Sequence, residues 1–135
     1  MLAIIALLAA IVLPAIPRTT SRTRLEAYAL DVAALVTQDR NVAVRRRMQV
    51  ATQVDAPARL IVSGATGRQL RLPDDVAVDA LLPARCGDRP AGRTIDFFAT
   101  GGSCGGVIAL RRPGAGYQVR VNWLTGGVEV VAGTP

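Results

Sequence analysis

The chain is 135 residues long, which is enough for one domain with a sizeable core; 50% of its residues are hydrophobic but only 4% are aromatic. Its formal net charge is +6, all 16 basic residues are arginine, and it contains neither lysine nor histidine. A catalytic site built on a histidine base is therefore excluded, and so is a zinc site completed by histidines.

The positive charge has two explanations. Clustered arginines neutralise phosphates and release counterions, which would indicate a nucleic acid or an anionic surface as a partner. A bias in the base composition of a genome would also replace lysine by arginine everywhere, without regard to partners. Because lysine is completely absent, we favour compositional bias.

The first predicted element is an apolar segment that carries no charge over residues 1–16. Such a helix spans roughly 24 Å against about 30 Å of membrane hydrocarbon, so it is short for a full crossing. A cleavable signal peptide is the competing interpretation, but no basic residue precedes the segment and residues 13–16 make a poor cleavage site. We predict a membrane helix over residues 1–17 that is truncated at its start. Its assigned residues are Leu2, Ile4, Ile5, Leu7, Leu8, Ile11, Val12, Leu13 and Pro14.

An amphipathic helix is predicted next, over residues 18–47. Pro14 and Pro17 would bend the chain between the two helices. Thr23 and Glu26 have the spacing of a capping box, which would begin the helix. Apolar residues then recur at steps of three and four, and this places them on one stripe that faces a core. The stripe comprises Leu25, Tyr28, Ala29, Val32, Leu35, Val36, Val42 and Ala43.

From residue 48 onwards, apolar and polar residues alternate, which is typical of β-strands. A turn at residues 64–67 is typical of a hairpin. We therefore predict that residues 48–135 form an antiparallel β domain. The predicted strands are residues 50–54, 59–62, 69–72, 76–81, 94–99, 107–111, 117–123 and 128–131.

The two cysteines lie in loops of this domain. Cys86 belongs to a segment rich in proline and glycine, and Cys104 to a glycine-rich one. Two cysteines do not supply the four ligands of a zinc site. If the domain lies outside the cytoplasm, we expect the pair to form a disulfide.

Residues 101–105 read Gly-Gly-Ser-Cys-Gly, the spelling of a hydrolase nucleophile elbow. Ser103 has no evident base, because arginine does not give up its proton in a protein. Cys104 also lacks a base that would activate it as a nucleophile, but the exclusion is less strict because a thiol has a lower pKa than a serine hydroxyl. A phosphate-binding loop would end in Gly-Lys-Ser/Thr and open a helix, whereas a strand-like sequence follows here. We predict a turn between two strands, and no enzyme activity.

Trp123 is the one tryptophan of the sequence. Tryptophan often anchors a partner at the centre of an interface. A lone tryptophan in a strand more often belongs to the core, so we expect Trp123 to be buried.

The order of these elements resembles type IV pilin-like proteins. The sequence LAIIALLAAIVLPAI at residues 2–16 is similar to the membrane half of their N-terminal signature. Two further segments, IDFFATGGSCGGVIAL at residues 95–110 and VNWLTGGVEV at residues 121–130, resemble the C-terminal pattern of H-type minor pseudopilins of the type II secretion system. The resemblance implies an α+β, type IV pilin-like fold, with the long N-terminal helix packed on the antiparallel β domain.

The resemblance also implies a function. Such proteins are structural subunits without cofactors, not enzymes. They cross the bacterial inner membrane once, hold their globular domain in the periplasm, and assemble with other pseudopilins of the pseudopilus tip and body to serve exoprotein secretion. The basic leader and the assembly glutamate of the family have no counterpart here, which is why we expect a truncated start.

A minor type IV pilin involved in pilus assembly or DNA uptake is the alternative. Arg111, Arg112 and Arg120 lie on adjacent predicted strands, where they could form one patch that contacts phosphates. The run from Arg45 to Arg47 is a second candidate, although the dipole at a helix C-terminus also explains it. Aromatic residues that would stack on bases are scarce, so we regard nucleic acid as the less favoured partner.

Overall fold

The computed structural model describes residues 20–135. The helix predicted over residues 1–17 lies outside the described residues. Residues 20–135 form one helix, α1 (Arg22–Arg46), followed by ten strands. The strands are β1 (Val50–Asp55), β2 (Leu60–Val62), β3 (Gln69–Arg71), β4 (Ala77–Leu81), β5 (Arg85–Cys86), β6 (Arg89–Pro90), β7 (Thr94–Phe97), β8 (Gly106–Arg112), β9 (Ala115–Val121) and β10 (Val128–Ala132).

Local hydrogen bonds explain both ends of α1. The hydroxyl of Ser21 accepts a hydrogen bond from the amide of Arg24 at 3.2 Å, so Ser21 is the N-cap. The capping box predicted at Thr23 is therefore wrong. At the other end Arg47 adopts a left-handed conformation with φ of 52°, and its amide donates to the carbonyl of Ala43. This backbone conformation ends the helix at Arg46.

The predicted apolar stripe forms the buried face of α1. Seven of its eight residues are buried, and Tyr28 is half-buried. Asp39 is buried on the same face, which the apolar pattern did not include. The spacing of apolar residues therefore predicted the orientation of the helix correctly.

The strands form two four-stranded sheets and a short hairpin. One sheet has the order β3-β2-β1-β7, the other β10-β9-β8-β4, and β5 pairs with β6. Every strand pair is antiparallel, as predicted. All eight predicted strands are present, whereas β5 and β6 were not predicted because two residues are too few to show an alternation.

Helix α1 contacts strands of both sheets, and the core lies where they meet. Each fully buried Leu, Ile or Phe side chain contributes about 1.5–3 kcal/mol relative to an exposed one. The largest fully buried side chains include Phe97, Leu25, Leu35, Ile61, Ile95, Ile108 and Leu110. Within residues 20–135, no membrane-spanning helix is found.

The prediction that Trp123 belongs to the core is wrong. Trp123 is 68% exposed, because β9 ends at Val121 and the chain then turns towards β10. The amide of Asn122 donates to the carbonyl of Gly127 at 2.9 Å, and this bond closes the turn. Trp123 therefore lies at the tip of a hairpin, where no sheet covers it.

Candidate interaction surface

The glycine-rich segment is a turn between β7 and β8, as predicted. Ser103 is 5% exposed, its hydroxyl donates to the carbonyl of Asp96 at 2.5 Å, and the same oxygen accepts from the amide of Gly105 at 3.0 Å. Gly101 and Gly105 have φ of 91° and 81°, which favour glycine. The serine hydroxyl thus holds the turn together.

Cys86 and Cys104 form a disulfide, so the pairing that the sequence predicted is confirmed. Their Cα atoms are 5.7 Å apart and the residues are 18 positions apart in sequence. The bond joins β5 to the segment that precedes β8. In the chain-entropy model, a loop of this size contributes about 3 kcal/mol of stability.

The three arginines of the predicted patch lie on two neighbouring strands. In the β8–β9 register Arg111 is opposite Gly116, and Arg120 is opposite Val107. Arg111 and Val107 are four residues apart on β8, so Arg111 and Arg120 lie on the same outward face, roughly 13 Å apart along the strand. Arg111 forms an ion pair with Asp79, and the guanidinium of Arg120 donates to the side-chain oxygen of Gln118 at 3.0 and 2.8 Å.

Arg112 follows Arg111 at the end of β8 and therefore points to the opposite side of the sheet. Its positive charge acts on the carboxylate of Asp75. The structure thus brings Arg111 and Arg120 to one face and engages each with a neighbour. A common site for an anion on these residues remains a prediction.

Arg40 makes a contact that the sequence did not reveal. Its Nε donates to the carbonyl of Gly101 at 3.1 Å, and its Nε and Nη2 both donate to the carbonyl of Thr125 at 3.2 and 3.0 Å. One side chain of α1 thus holds the β7–β8 turn and the β9–β10 turn together. We call these three hydrogen bonds the Arg40 clamp.

The turn held by the Arg40 clamp is also rigid within itself. The side-chain oxygen of Asn122 accepts from the amides of Leu124 and Thr125 at 2.8 and 3.1 Å. The carbonyl of Trp123 accepts from the amide of Ser103 at 3.1 Å. Trp123 and Leu124 are each 68% exposed, so two large apolar side chains project from a fixed backbone.

An open groove of about 810 Å³ lies between α1 and Thr100 of the β7–β8 turn. A Cβ atom at Gly101 would come within 3.4 Å of a methyl group of Val44, and one at Gly102 within 3.4 Å of the carbonyl of Leu124. Gly101 and Gly102 of the β7–β8 turn therefore lie between Val44 on the groove and the backbone of Leu124. The described residues that line the groove include Arg40 and Arg45 but no carboxylate.

Two carboxylates fix α1 on the β domain. Asp39 is fully buried and accepts from the hydroxyls of Thr52 and Ser63 at 2.7 and 2.5 Å, and from the amides of Gly64 and Ala65 at 2.9 and 3.3 Å. Its position, three residues after Val36 and three before Val42, places it on the apolar stripe. That spacing was the signal by which its burial could have been found.

Asp75 holds the chain immediately before α1. The amide and the hydroxyl of Thr20 donate to its carboxylate at 2.7 and 2.8 Å. These two hydrogen bonds lower the pKa of Asp75, the amide contributing most. Burial, by contrast, raises the pKa of Asp96 on β7. Within residues 20–135, no three Cys, Asp or Glu side chains are grouped so that they could hold a metal ion.

No protein-family model matches the sequence, and no curated protein sequence matches it significantly. Among solved structures, the chain is similar to the type IV minor pilin FimU of Pseudomonas aeruginosa strain PAO1, with a TM-score of 0.63 and 17% identity. That match covers 85% of this chain and 96% of the other. The chain is also similar to the minor pseudopilin EpsH from the type II secretion system of Vibrio cholerae, with a TM-score of 0.61 and 11% identity over 79% of this chain and 95% of the other.

The chain has the type IV pilin-like fold. The predicted fold class is thereby confirmed: an α+β architecture in which an N-terminal helix packs on antiparallel sheets. The two C-terminal segments that resemble H-type pseudopilins meet in space. The first contributes Gly101 and the second contributes Thr125, and the guanidinium of Arg40 binds the carbonyls of both.

Proposed function

We propose that the chain is a minor pseudopilin of the type II secretion system, a structural subunit of the periplasmic pseudopilus used in exoprotein secretion. The observation that carries this proposal is the likeness to EpsH. The likeness to a second structure of EpsH covers 84% of this chain and 97% of the other, with a TM-score of 0.61. The convergence of the two pseudopilin-like segments on Arg40 adds independent support from the residues of this chain.

A structural role agrees with the state of the polar side chains. The hydroxyl of Ser103 and the carboxylate of Asp39 each make their hydrogen bonds inside the fold. Groups satisfied in this way hold the structure together and are not offered to a substrate. We therefore propose a subunit that acts through its packing surfaces, with other pseudopilins of the tip and body as its partners.

We further propose that the β domain lies in the periplasm and that residues 1–17 anchor the chain in the bacterial inner membrane by a single pass. The Cys86–Cys104 disulfide supports this location, because disulfides persist in oxidising compartments. An apolar helix exchanges lipid for neighbouring apolar helices at little cost in free energy, which suits a subunit that leaves the membrane to join a filament.

Deletion of the gene in its host tests the proposal. We expect exoproteins to accumulate in the periplasm and to disappear from the medium, and a plasmid copy to restore their secretion. Measuring a resident periplasmic enzyme in the medium controls for leakage. A deletion strain that secretes normally would contradict the proposed function.

A minor type IV pilin is the second candidate, and the likeness to FimU favours it as much as the likeness to EpsH favours the first. The same deletion strain separates the two. Loss of pilus assembly or of DNA uptake with intact exoprotein secretion would assign the chain to a pilus.

A further inference from the structure

Three exposed apolar residues neighbour the residues that the Arg40 clamp joins: Val44 lies one turn of α1 after Arg40, and Trp123 and Leu124 directly precede Thr125. Val44, Trp123 and Leu124 are 40%, 68% and 68% exposed, and all three belong to the region that Arg40 joins. Contiguous exposed apolar side chains with polar residues around them mark sites of protein interaction. We call the set Val44, Arg45, Thr100, Trp123 and Leu124 the hairpin-tip surface.

The backbone beneath the hairpin-tip surface is fixed before any partner arrives. The Arg40 clamp, the two hydrogen bonds to the side chain of Asn122, and the bond between Ser103 and Trp123 all act on the same turn. A rigid loop loses little conformational entropy when it binds, so its apolar side chains contribute more of their burial to affinity. Tryptophan is the residue type most enriched at the centres of such interfaces.

The charge of the residues that line the groove indicates the surface chemistry of the partner. The guanidiniums of Arg40 and Arg45 line the groove next to Val44, and no carboxylate of the described residues lines it with them. The one side-chain ion pair within residues 20–135 is Arg111–Asp79, on the second sheet. The groove is therefore a positive rim beside an apolar tip. A second copy of the chain is disfavoured as the occupant, because each copy has a formal charge of +6.

We propose that the hairpin-tip surface docks a different protein subunit whose surface offers an apolar socket for Trp123 and Leu124, bordered by carboxylates that face Arg45. This inference rests on the proposed function, since it takes the partner to be another subunit of the same assembly. The indole and the leucine supply the buried area. Arg45 selects partners by charge and speeds the encounter.

Site-specific photo-crosslinking of the full chain in its host tests the inference. The photoreactive residue p-benzoylphenylalanine replaces Leu124 in one strain and Leu81 in a control strain. Leu81 is 76% exposed but lies on β4, at the far edge of the second sheet. We expect an adduct from position 124 and none from position 81. Peptide mapping should place the partner end of the adduct among apolar residues flanked by Asp or Glu.

A charge reversal provides the second arm. Arg45→Glu should lower the yield of the adduct from position 124 about tenfold, because like charges then meet at the rim of the interface. Arg68→Glu makes the same change of charge on the β2–β3 turn and should leave the yield unchanged. Arg45→Lys, which keeps the charge, should also leave it nearly unchanged.

Four results would overturn the inference: no adduct from position 124, equal adducts from positions 124 and 81, adducts formed only between copies of this chain, or adducts to nucleic acid. Secretion distinguishes this failure from failure of the proposed function. If the gene is required for secretion but the adduct is missing, only the docking surface is wrong. If secretion does not need the gene, the proposed function itself is wrong.

Discussion

The guanidinium of Arg40 holds the carbonyl of Thr125 with two nitrogens, at 3.2 and 3.0 Å, although the two residues are 85 positions apart in sequence. This contact fixes the last hairpin on the helix. Because a guanidinium is a planar fork with several donors, it spans the carbonyls of Thr125 and Gly101 at once.

Arg40→Ala should destabilise the fold by about 1–3 kcal/mol, because the charged donor is lost to two carbonyls, of Gly101 in a part-buried hydrogen bond and of Thr125 in exposed ones. Arg40→Lys should recover only part of the loss, since one ammonium lacks the fork geometry. Urea unfolding of a fragment of residues 20–135, which contains the whole core described above, measures the effect. Arg45→Ala in the same groove is the control and should change stability by less than about 0.5 kcal/mol. Equal effects of Arg40→Ala and Arg45→Ala would contradict a role for the clamp.

Asp39→Ala should be the most damaging substitution of a polar residue, with a loss of about 3 kcal/mol or more. It leaves the buried hydroxyls of Thr52 and Ser63 and the part-buried amide of Gly64 without their acceptor, and it removes one of the two acceptors of the Ala65 amide. Asp39→Asn should fail to rescue stability, because its NH₂ group replaces one acceptor oxygen and then faces the hydroxyl and amide groups that donate to Asp39. Asp31→Ala, an exposed carboxylate on the same helix, is the control. Wild-type stability of Asp39→Asn in urea unfolding would refute the assignment of these hydrogen bonds.

The contact between Thr20 and Asp75 predicts a dependence of stability on pH. Hydrogen bonds from Thr20 lower the pKa of Asp75 below its ordinary value of 3.8 in the folded state. A lowered folded-state pKa means that the stabilisation is present above 3.8 and is lost as the pH falls through the folded-state pKa. Stability should therefore decline on acidification below that value. Asp75→Asn should flatten this part of the profile, whereas Asp74→Asn, which changes the residue next to it, should not.

The carboxyl group of Asp96 predicts the opposite dependence of stability on pH. Burial raises its pKa, so the ionised carboxylate disfavours the folded state once the pH rises above the ordinary value of 3.8 and through the folded-state pKa. Asp96→Asn should raise the urea midpoint at about pH 7, and the gain should shrink at about pH 3, where the carboxyl is protonated in both states. A lower midpoint at about pH 7 would show instead that the hydrogen bond from Thr94 and the attraction to Arg89 together outweigh burial.

The sequence predicted what is encoded locally. The steps of three and four from Leu25 to Ala43 and the alternation after residue 48 each report burial within a few positions, so the helix face and eight strands followed from them. The Arg40 clamp and the contact between Thr20 and Asp75 join residues 55 to 85 positions apart. No local pattern specifies which carbonyl an arginine will meet. Trp123 was misplaced for a similar reason, because the end of β9 is set by the turn at Asn122 and not by hydropathy.

The positions of Arg111, Arg112 and Arg120 predict weak binding of DNA. Arg111 is paired with Asp79, Arg120 is bound to Gln118, and Arg112 points to the other side of the sheet. Phosphate would have to displace these contacts, so the three residues should add little to the non-specific attraction of a chain with a charge of +6.

Fluorescence anisotropy with a labelled duplex, at an ionic strength of about 0.15 M, measures that binding. The wild-type chain should bind with a Kd weaker than about 1 μM, the range of non-specific complexes at physiological salt. Replacing all three arginines by alanine should weaken binding no more than replacing Arg45, Arg46 and Arg47 by alanine, since both variants remove the same charge. Tight binding that only the first variant abolishes would instead identify the outer face of the second sheet as a DNA site and favour the pilus alternative.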